Sequence, residues 1–259
     1  MSSLARALKV LDLFGEETAV LGADEIIARL KYSRPTGYRY VRTLVGAGLL
    51  VRARGGYALG PRIIELDWII RTQDPVLLAS RQAVRGLVTA TGCDVTQMGL
   101  YGERIVTIHH ELGPRPLAIG YDRGRTMPLF RGAPSKAIVA FLPRARLERL
   151  YRRHGGRGFA RFAEEMQAVR RAGYAVSFGE LDVGKVGIGA PVFHGARVTG
   201  SVCLVLTRAQ YDAADRGALV ERLLASAARI SEALEPVAPE PRPRRRMTAS
   251  PRSTPRTPA

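Results

Sequence analysis

The chain has 259 residues, with 40 Lys and Arg against 23 Asp and Glu, a formal net charge of +17 at pH 7. Its 46% hydrophobic and 24% charged residues are ordinary for a globular protein, which excludes wholesale disorder, and no run approaches the roughly 18 uninterrupted apolar residues of a membrane-spanning helix. Two cysteines, Cys93 and Cys203, are too few for a disulfide framework or a four-cysteine zinc site, and the N-terminus carries charges inside its apolar pattern, unlike a secretion signal, so a cytoplasmic protein with no membrane partner is expected.

The first sixty residues pattern as three helices and a hairpin. Ser2 or Ser3 is positioned to cap a helix in which Leu4, Leu8, Leu11 and Phe14 recur at helical spacing up to Gly15. A second helix fits residues 23–30, with Ile26, Ile27 and Leu30 on one side. Ser33 is a good N-cap for a third, and Pro35 sits in its first turn, where the missing N–H costs nothing. That helix runs to about Ala47, burying Val41, Leu44 and Val45, and Gly48 stops it. Residues 49–52 and 57–59 flank Arg54-Gly55-Gly56 as a hairpin. Together these predict a winged helix-turn-helix over residues 1–60.

The charge agrees with that shape. Residues 1–60 hold nine Lys/Arg against five Asp/Glu. Ser33, Arg34, Thr36, Tyr38, Arg39 and Arg42 occupy the positions of the third helix and its cap that the apolar residues leave free, and Arg52 and Arg54 lie on the wing. A recognition helix reads base edges with its N-terminal residues, whereas a wing meets the backbone or minor groove. Double-stranded DNA is therefore the expected partner. Since one such helix reads few base pairs, a homo-oligomer pairing two half-sites is expected as well.

Further along, residues 76–91 read as a helix ended by Gly92, and residues 94–101 and 104–111 as a hairpin around Gly102-Glu103. Helices are predicted over residues 135–141, 144–153 and 159–172, strands over 186–193 and 198–206, and one long closing helix over 212–234. Residues 237–259 hold six arginines and one glutamate among prolines, serines and threonines, and are expected to be a disordered basic tail able to touch phosphates nonspecifically.

No catalytic constellation stands out. His109-His110 tempts as a metal site, but adjacent strand residues point to opposite faces. The run Gly184-Lys185-Val186-Gly187-Ile188-Gly189 lacks the spacing of a phosphate-binding loop. No enzymatic activity, cofactor or metal is expected, and both cysteines read as buried small hydrophobes. An architectural, nonspecific DNA binder accounts for the basic tail but not for some 160 residues of a further domain.

Two stretches carry a resemblance. Arg34-Pro35-Thr36-Gly37-Tyr38-Arg39-Tyr40-Val41-Arg42-Thr43-Leu44, Ala47-Gly48-Leu49-Leu50 and Gly56-Tyr57-Ala58-Leu59-Gly60-Pro61-Arg62 resemble the N-terminal domain of the IclR family of bacterial transcription regulators. Pro128-Leu129, Lys136-Ala137, Gly173-Tyr174-Ala175-Val176, Glu180, Gly184, Ala190-Pro191-Val192 and Gly200-Ser201-Val202 resemble its C-terminal signature, for coverage of residues 4–235. The resemblance implies an α+β architecture: a winged helix-turn-helix, a linker helix within residues 61–75 and a GAF-like α/β effector-binding and oligomerisation domain over 76–236. It also implies dimers or dimers of dimers, with Leu4, Leu8, Leu66, Trp68 and Ile69 providing apolar surface.

The same resemblance implies a pocket for a small-molecule effector. Gly132 and Ala133 fall in a loop whose backbone N–H groups face a ligand carboxylate. Ser177 stands where members that bind small oxo-acids carry Asp, Gly187 where many carry Cys, and Cys203 and Val205 where many carry Ser. Phe130 and Arg131 replace the usual His and a small residue. Fewer polar hooks imply a larger or more apolar pocket and an apolar or aromatic acid held by burial, with Phe130, Met98 and Val205 as expected walls. The alternative for Phe130 is a place in the core, and Arg131 either pairs an acidic group or points to solvent.

Overall fold

A computed structural model describes residues 2–234. The expected tail at 237–259 lies outside the described residues. The chain opens with α1 (Ser3–Leu8), a 3-10 turn at Leu11–Leu13, α2 (Ala23–Leu30) and α3 (Arg34–Gly46), followed by the hairpin of β1 (Leu50–Ala53) and β2 (Gly56–Leu59). Ser2 caps α1 by accepting from Ala5 N at 3.2 Å. The single helix expected up to Gly15 is broken after Leu8. Ala7 and Val10 are the residues buried against Ile26, Tyr40, Val41 and Leu44, and the chain turns so that Leu11, Leu13 and Phe14 pack at the edge of that core. Leu4 and Leu8 stay exposed. The corner between α2 and α3 is Lys31 in the left-handed region, φ 55°. Gly37 lets the two helices cross closely, since a Cβ there would lie 2.2 Å from Ile27 Cγ1.

Two helices then meet at one residue. Asp74 ends α4 (Pro61–Gln73) and caps α5 (Pro75–Thr91), its Oδ1 accepting from Val76 N at 2.8 Å and Leu77 N at 3.2 Å. Helix α4 buries none of its residues within the chain.

The remainder is built on a six-stranded antiparallel sheet. Its strands are β3 (Asp94–Tyr101), β4 (Arg104–Glu111), β5 (Thr126–Met127), β6 (Ala175–Phe178), β7 (Lys185–His194) and β8 (Arg197–Thr207), in the order β5-β4-β3-β8-β7-β6. One face packs on α5 and α10 (Arg216–Ala233) through Val84, Leu87, Val95, Ile188, Leu204, Leu223 and Ile230. The other face meets α6 (Ala133–Val139), α7 (Arg144–His154) and α8 (Phe159–Ala172), with Met98, Ile105, Ile138, Leu150, Phe162 and Met166 between them. Among the described residues no helix is long and apolar enough to cross a membrane.

The closing helix expected over 212–234 is two helices. α9 (Arg208–Ala213) carries a capping box of Thr207 and Gln210, and α10 has its own N-cap, Asp215, whose Oδ1 accepts from Ala218 N at 3.1 Å. A cap satisfies amides that a continuous helix would bond internally, so Asp215 starts a new helix where apolar spacing alone runs through. The short strands β5 and β6 also go beyond the predicted set, since two and four residues are too few to show alternation.

Strands β3 and β8 approach closely where Gly99 faces Gly200, and a Cβ on Gly200 would lie 2.1 Å from the Met98 carbonyl oxygen. Gly200→Ala is expected to cost about 1–3 kcal/mol of stability by overpacking. Urea unfolding should show a lower midpoint at unchanged slope.

Candidate functional site

Two regions gather the functional residues. In the first, α3 turns Tyr40, Val41 and Leu44 inward, which leaves Arg34, Tyr38, Arg39 and Arg42 exposed and Thr36 half-buried. The Ser33 hydroxyl donates to Thr36 Oγ1 at 2.9 Å and makes no hydrogen bond to the amides of the first turn. Those amides suit a phosphate. The Tyr38 hydroxyl donates to Asp24 Oδ1 at 3.2 Å, and Arg34 Nη2 lies 3.7 Å from the same carboxylate, so the start of α2 orients two side chains of this face. Arg52 on β1 and Arg54 at the hairpin tip are exposed. Arg39, Arg42, Arg52 and Arg54 have no carboxylate partner among the described residues. All eight expected residues thus lie on α3, its cap or the wing, as a cationic surface.

The second region is a small cavity of about 50 Å³ on the sheet face that meets α6. Strand alternation and register build its floor. Thr96 pairs with Cys203, and Val205 pairs with Gly187, which in turn pairs with Ser177, so that Thr96, Met98, Ser177, Gly187, Cys203 and Val205 all point the same way. Met127, Pro134, Leu181 and Val186 add apolar wall, while Glu180, Asp182 and Lys185 bring charge. The Thr96 hydroxyl is buried beside the Cys203 thiol and finds no nitrogen or oxygen partner. Burial pushes the Cys203 thiol up to about 12, and Cys93 is raised by the same cause, so both are neutral packing groups at pH 7.

A loop of residues 112–125 closes the cavity with Ile119 and Tyr121. It is tied down on every side. The buried Asp94 carboxylate accepts from Gly113 N at 2.7 Å and Leu117 N at 2.8 Å. Asp182 accepts from Gly120 N at 3.1 Å, and the Thr107 hydroxyl donates to Tyr121 O at 3.0 Å. The loop then reaches away from the cavity: Arg123 Nη2 lies 2.8 Å from Asp67 Oδ1 on α4, and Arg125 Nη2 lies 2.5 Å from Glu16 Oε1 in the N-terminal unit.

Several expected site residues are placed elsewhere. Phe130 is not at the cavity; it packs on Tyr151 and Phe162 at ring-centroid distances of 5.0 and 5.2 Å, because the aromatic cluster between α7 and α8 offers more apolar surface than the rim. Arg131 pairs no acid; it lies exposed, as the solvent alternative has it, and donates to the Glu180 carbonyl. The amides expected to face a ligand are already engaged: Gly132 N donates to Glu180 Oε2 at 2.8 Å and Ala133 N to Ser177 Oγ at 2.9 Å. Glu180 also holds Lys136 Nζ at 2.6 Å, and Glu165 holds it at 2.7 Å. Burial lowers the Lys136 ammonium, but its two carboxylate hydrogen bonds outweigh this and leave its pKa raised. Glu180 thereby fills the anion-binding role at the start of α6 from within the chain.

Thr96, Ile119, Tyr121 and Lys185 are cavity residues that the sequence reading missed. Lys185 lies in the glycine-rich run noted above, but a loop without periodicity gives no hint that Ile119 and Tyr121, 84 and 82 residues before Cys203, cover the site that Cys203 lines. The two histidines diverge as expected: His109 Nε2 lies 2.9 Å from Glu111 Oε2, and His110 Nδ1 lies 3.2 Å from Asp122 Oδ1. Among the described residues no group of three or more His, Cys, Asp or Glu side chains could hold a metal ion.

Comparison with known proteins finds matches for both parts of the chain. Residues 3–54 match the model of the IclR helix-turn-helix domain, and residues 72–232 match that of the bacterial transcriptional regulator IclR C-terminal domain. The HTH-type transcriptional regulator XynR of Escherichia coli K12 is 26% identical over 249 residues, covering 90% of this chain and 97% of that protein. KipR of Bacillus subtilis, also an HTH-type transcriptional regulator, is 23% identical over 88% of this chain and 95% of its own length. Among solved structures, a transcriptional regulator from Alicyclobacillus acidocaldarius superimposes with a TM-score of 0.74 at 24% identity over 90% of this chain and 98% of that one. An IclR homologue from Microbacterium hydrocarbonoxydans, complexed with 4-hydroxybenzoate, superimposes with a TM-score of 0.71 at 20% identity, covering 90% and 99%.

Proposed function

The chain belongs to the IclR family of transcriptional regulators, with a DNA-binding helix-turn-helix and an effector domain, and we propose that it binds a pseudo-palindromic operator as a homo-oligomer under the control of a small apolar or aromatic acid. The observation that carries this reading is the loop of residues 112–125. One side of it lines the cavity through Ile119 and Tyr121, and the other holds α4 through Arg123 and the N-terminal unit through Arg125. A cavity of about 50 Å³ holds only a few waters, so an aromatic acid enters by displacing this loop. That displacement loads the two ion pairs and changes how the winged domains are held. The ligand shifts the arrangement only by its differential affinity for the two states.

The apolar wall of Met98, Ile119, Met127, Leu181 and Val205 takes the ring, Lys185 the acidic group and Thr96 a further polar group. The 4-hydroxybenzoate complex of a homologue supports this ligand class. Calorimetric titration with benzoate and 4-hydroxybenzoate beside glyoxylate and pyruvate tests it. Binding of the aromatic acids, weakened about tenfold by Lys185→Ala through loss of one charge-assisted hydrogen bond, is the expected result. Tight binding of an oxo-acid alone overturns the assignment.

On the DNA side, Arg39 reads bases whereas Arg52 and Arg54 contact phosphates. Arg39→Ala is expected to cost about 1–3 kcal/mol on the operator and little on random DNA. Arg54→Ala should weaken both alike and lower the slope of log K against log salt by about 0.9. Fluorescence anisotropy on both DNAs across a salt series separates the two roles; equal losses for Arg39→Ala would remove it from base readout.

A further inference from the structure

A second cavity, of about 350 Å³, lies where the linker helix α4 joins the effector domain, and it shares no residue with the first. Its wall is dominated by Arg71 of α4, Arg81 and Arg85 of α5, and Arg123 of the loop, with His109 and Glu111 of β4 beside them. Leu77, Arg81 and Arg85 follow one another at intervals of four, so one face of α5 presents both of its arginines to the same volume.

The carboxylates present do not balance these guanidinium groups. Glu111 is held by His109 at 2.9 Å and lies 3.6 Å from Arg85 Nε. Asp67 is shared between Arg71 Nε at 2.6 Å and Arg123 Nη2 at 2.8 Å. Four guanidinium groups against two carboxylates leave an excess of two positive charges. Arg81 has no carboxylate partner among the described residues. The Nε–H of Arg123 is buried with no hydrogen-bond partner among the described residues. A buried guanidinium donor left unpaired is costly, and like charges gathered round one volume repel.

We propose that this cavity binds a small polyanion, a molecule carrying two or more carboxylates or a phosphate group. Arginine forks suit both groups by paired N–H donors, and the volume falls in the usual range for small-molecule sites. An anion seated here meets the linker helix through Arg71, the effector domain through Arg81 and Arg85, and the loop through Arg123. It competes with Asp67 for Arg123, and so acts on the joint between α4 and the effector domain from outside the first cavity.

The test is calorimetric titration of the full chain with citrate and with pyrophosphate, in chloride and without DNA or aromatic acid, so that it is independent of the effector assignment above. Saturable binding of one probe molecule per chain is expected, weakened at least about tenfold in the Arg81→Ala/Arg85→Ala double variant. Both arginines are exposed, so the fold is retained, as a thermal melt checks. An Arg161→Ala/Arg197→Ala double variant removes the same charge from exposed positions elsewhere and should bind like the unaltered chain. Preference for pyrophosphate assigns a phosphorylated ligand, and preference for citrate a polycarboxylic one. Absence of saturable binding, unaltered binding by the first double variant, or equal loss in both double variants overturns the proposal. So does a change of oligomeric mass in the first variant without probe binding by the unaltered chain, which would give the cavity to a second copy.

Discussion

Replacing Ile64 and Trp68 by glutamate is expected to yield a monomer and to lower operator affinity by about two orders of magnitude or more. Helix α4 is apolar around most of its circumference: Ile64 is 74% exposed, Trp68 65%, Ile70 47% and Ile69 44%, with Leu66 at 38%. Helices that are hydrophobic all round are buried in their functional state, and nothing among the described residues buries this one. Burial of each such side chain contributes about 1.5–3 kcal/mol, counted from both copies in a two-fold interface. Once the copies separate, each winged domain binds its half-site alone and loses the effective concentration that its partner supplies. Sedimentation or light scattering gives the mass, and anisotropy on the operator gives the affinity. An unchanged mass would place the oligomer contacts elsewhere.

Arg123→Ala is expected to abolish the effect of the ligand on DNA binding while leaving both affinities, measured separately, within about threefold. The Arg123 side chain is only 17% exposed, and its pair with Asp67 is the firmer of the loop's two links away from the cavity, since the Arg125–Glu16 pair to the N-terminal unit is open to solvent on both sides and correspondingly weak. Asp67→Asn should act likewise by removing the acceptor charge. Burial raises the Asp67 carboxyl, but hydrogen bonds from Arg123 and Arg71 outweigh it and hold the pKa below the usual carboxylate value. A lowered folded pKa means that this contribution is complete above the unfolded value and is lost as pH falls through the folded one. The ligand response should therefore be flat from mildly acidic to neutral pH and fade only in strong acid. Operator titrations with and without saturating ligand measure it, and an undiminished response in Arg123→Ala would remove the loop from the transmission path.

Some features needed only the order of residues. The α2 bounds, the proline start of α3, the wing and its glycines, the β3–β4 hairpin and α8 follow from apolar period, caps and turn residues, each confined to a few neighbouring positions. The exposed cationic face of α3 follows as well, because burying Val41 and Leu44 dictates where Arg39 and Arg42 point. The division between α9 and α10 was missed although Asp215 signals it, because helical spacing continues through the break.

The candidate effector site was decided elsewhere. Phe130, Arg131, Gly132 and Ala133 sit in the expected stretch of chain, yet Phe130 is drawn into the aromatic cluster of Tyr151 and Phe162, and Glu180, 48 residues from Gly132, takes the amide that a ligand was expected to occupy. The loop that closes the cavity and grips Asp67 and Glu16 has no periodic pattern of its own. Local order is written in spacing because neighbouring residues share one backbone geometry. Which carboxylate meets Arg123, and which side chain closes over Cys203, depends on how separate elements pack, and no local interval in the chain carries that information.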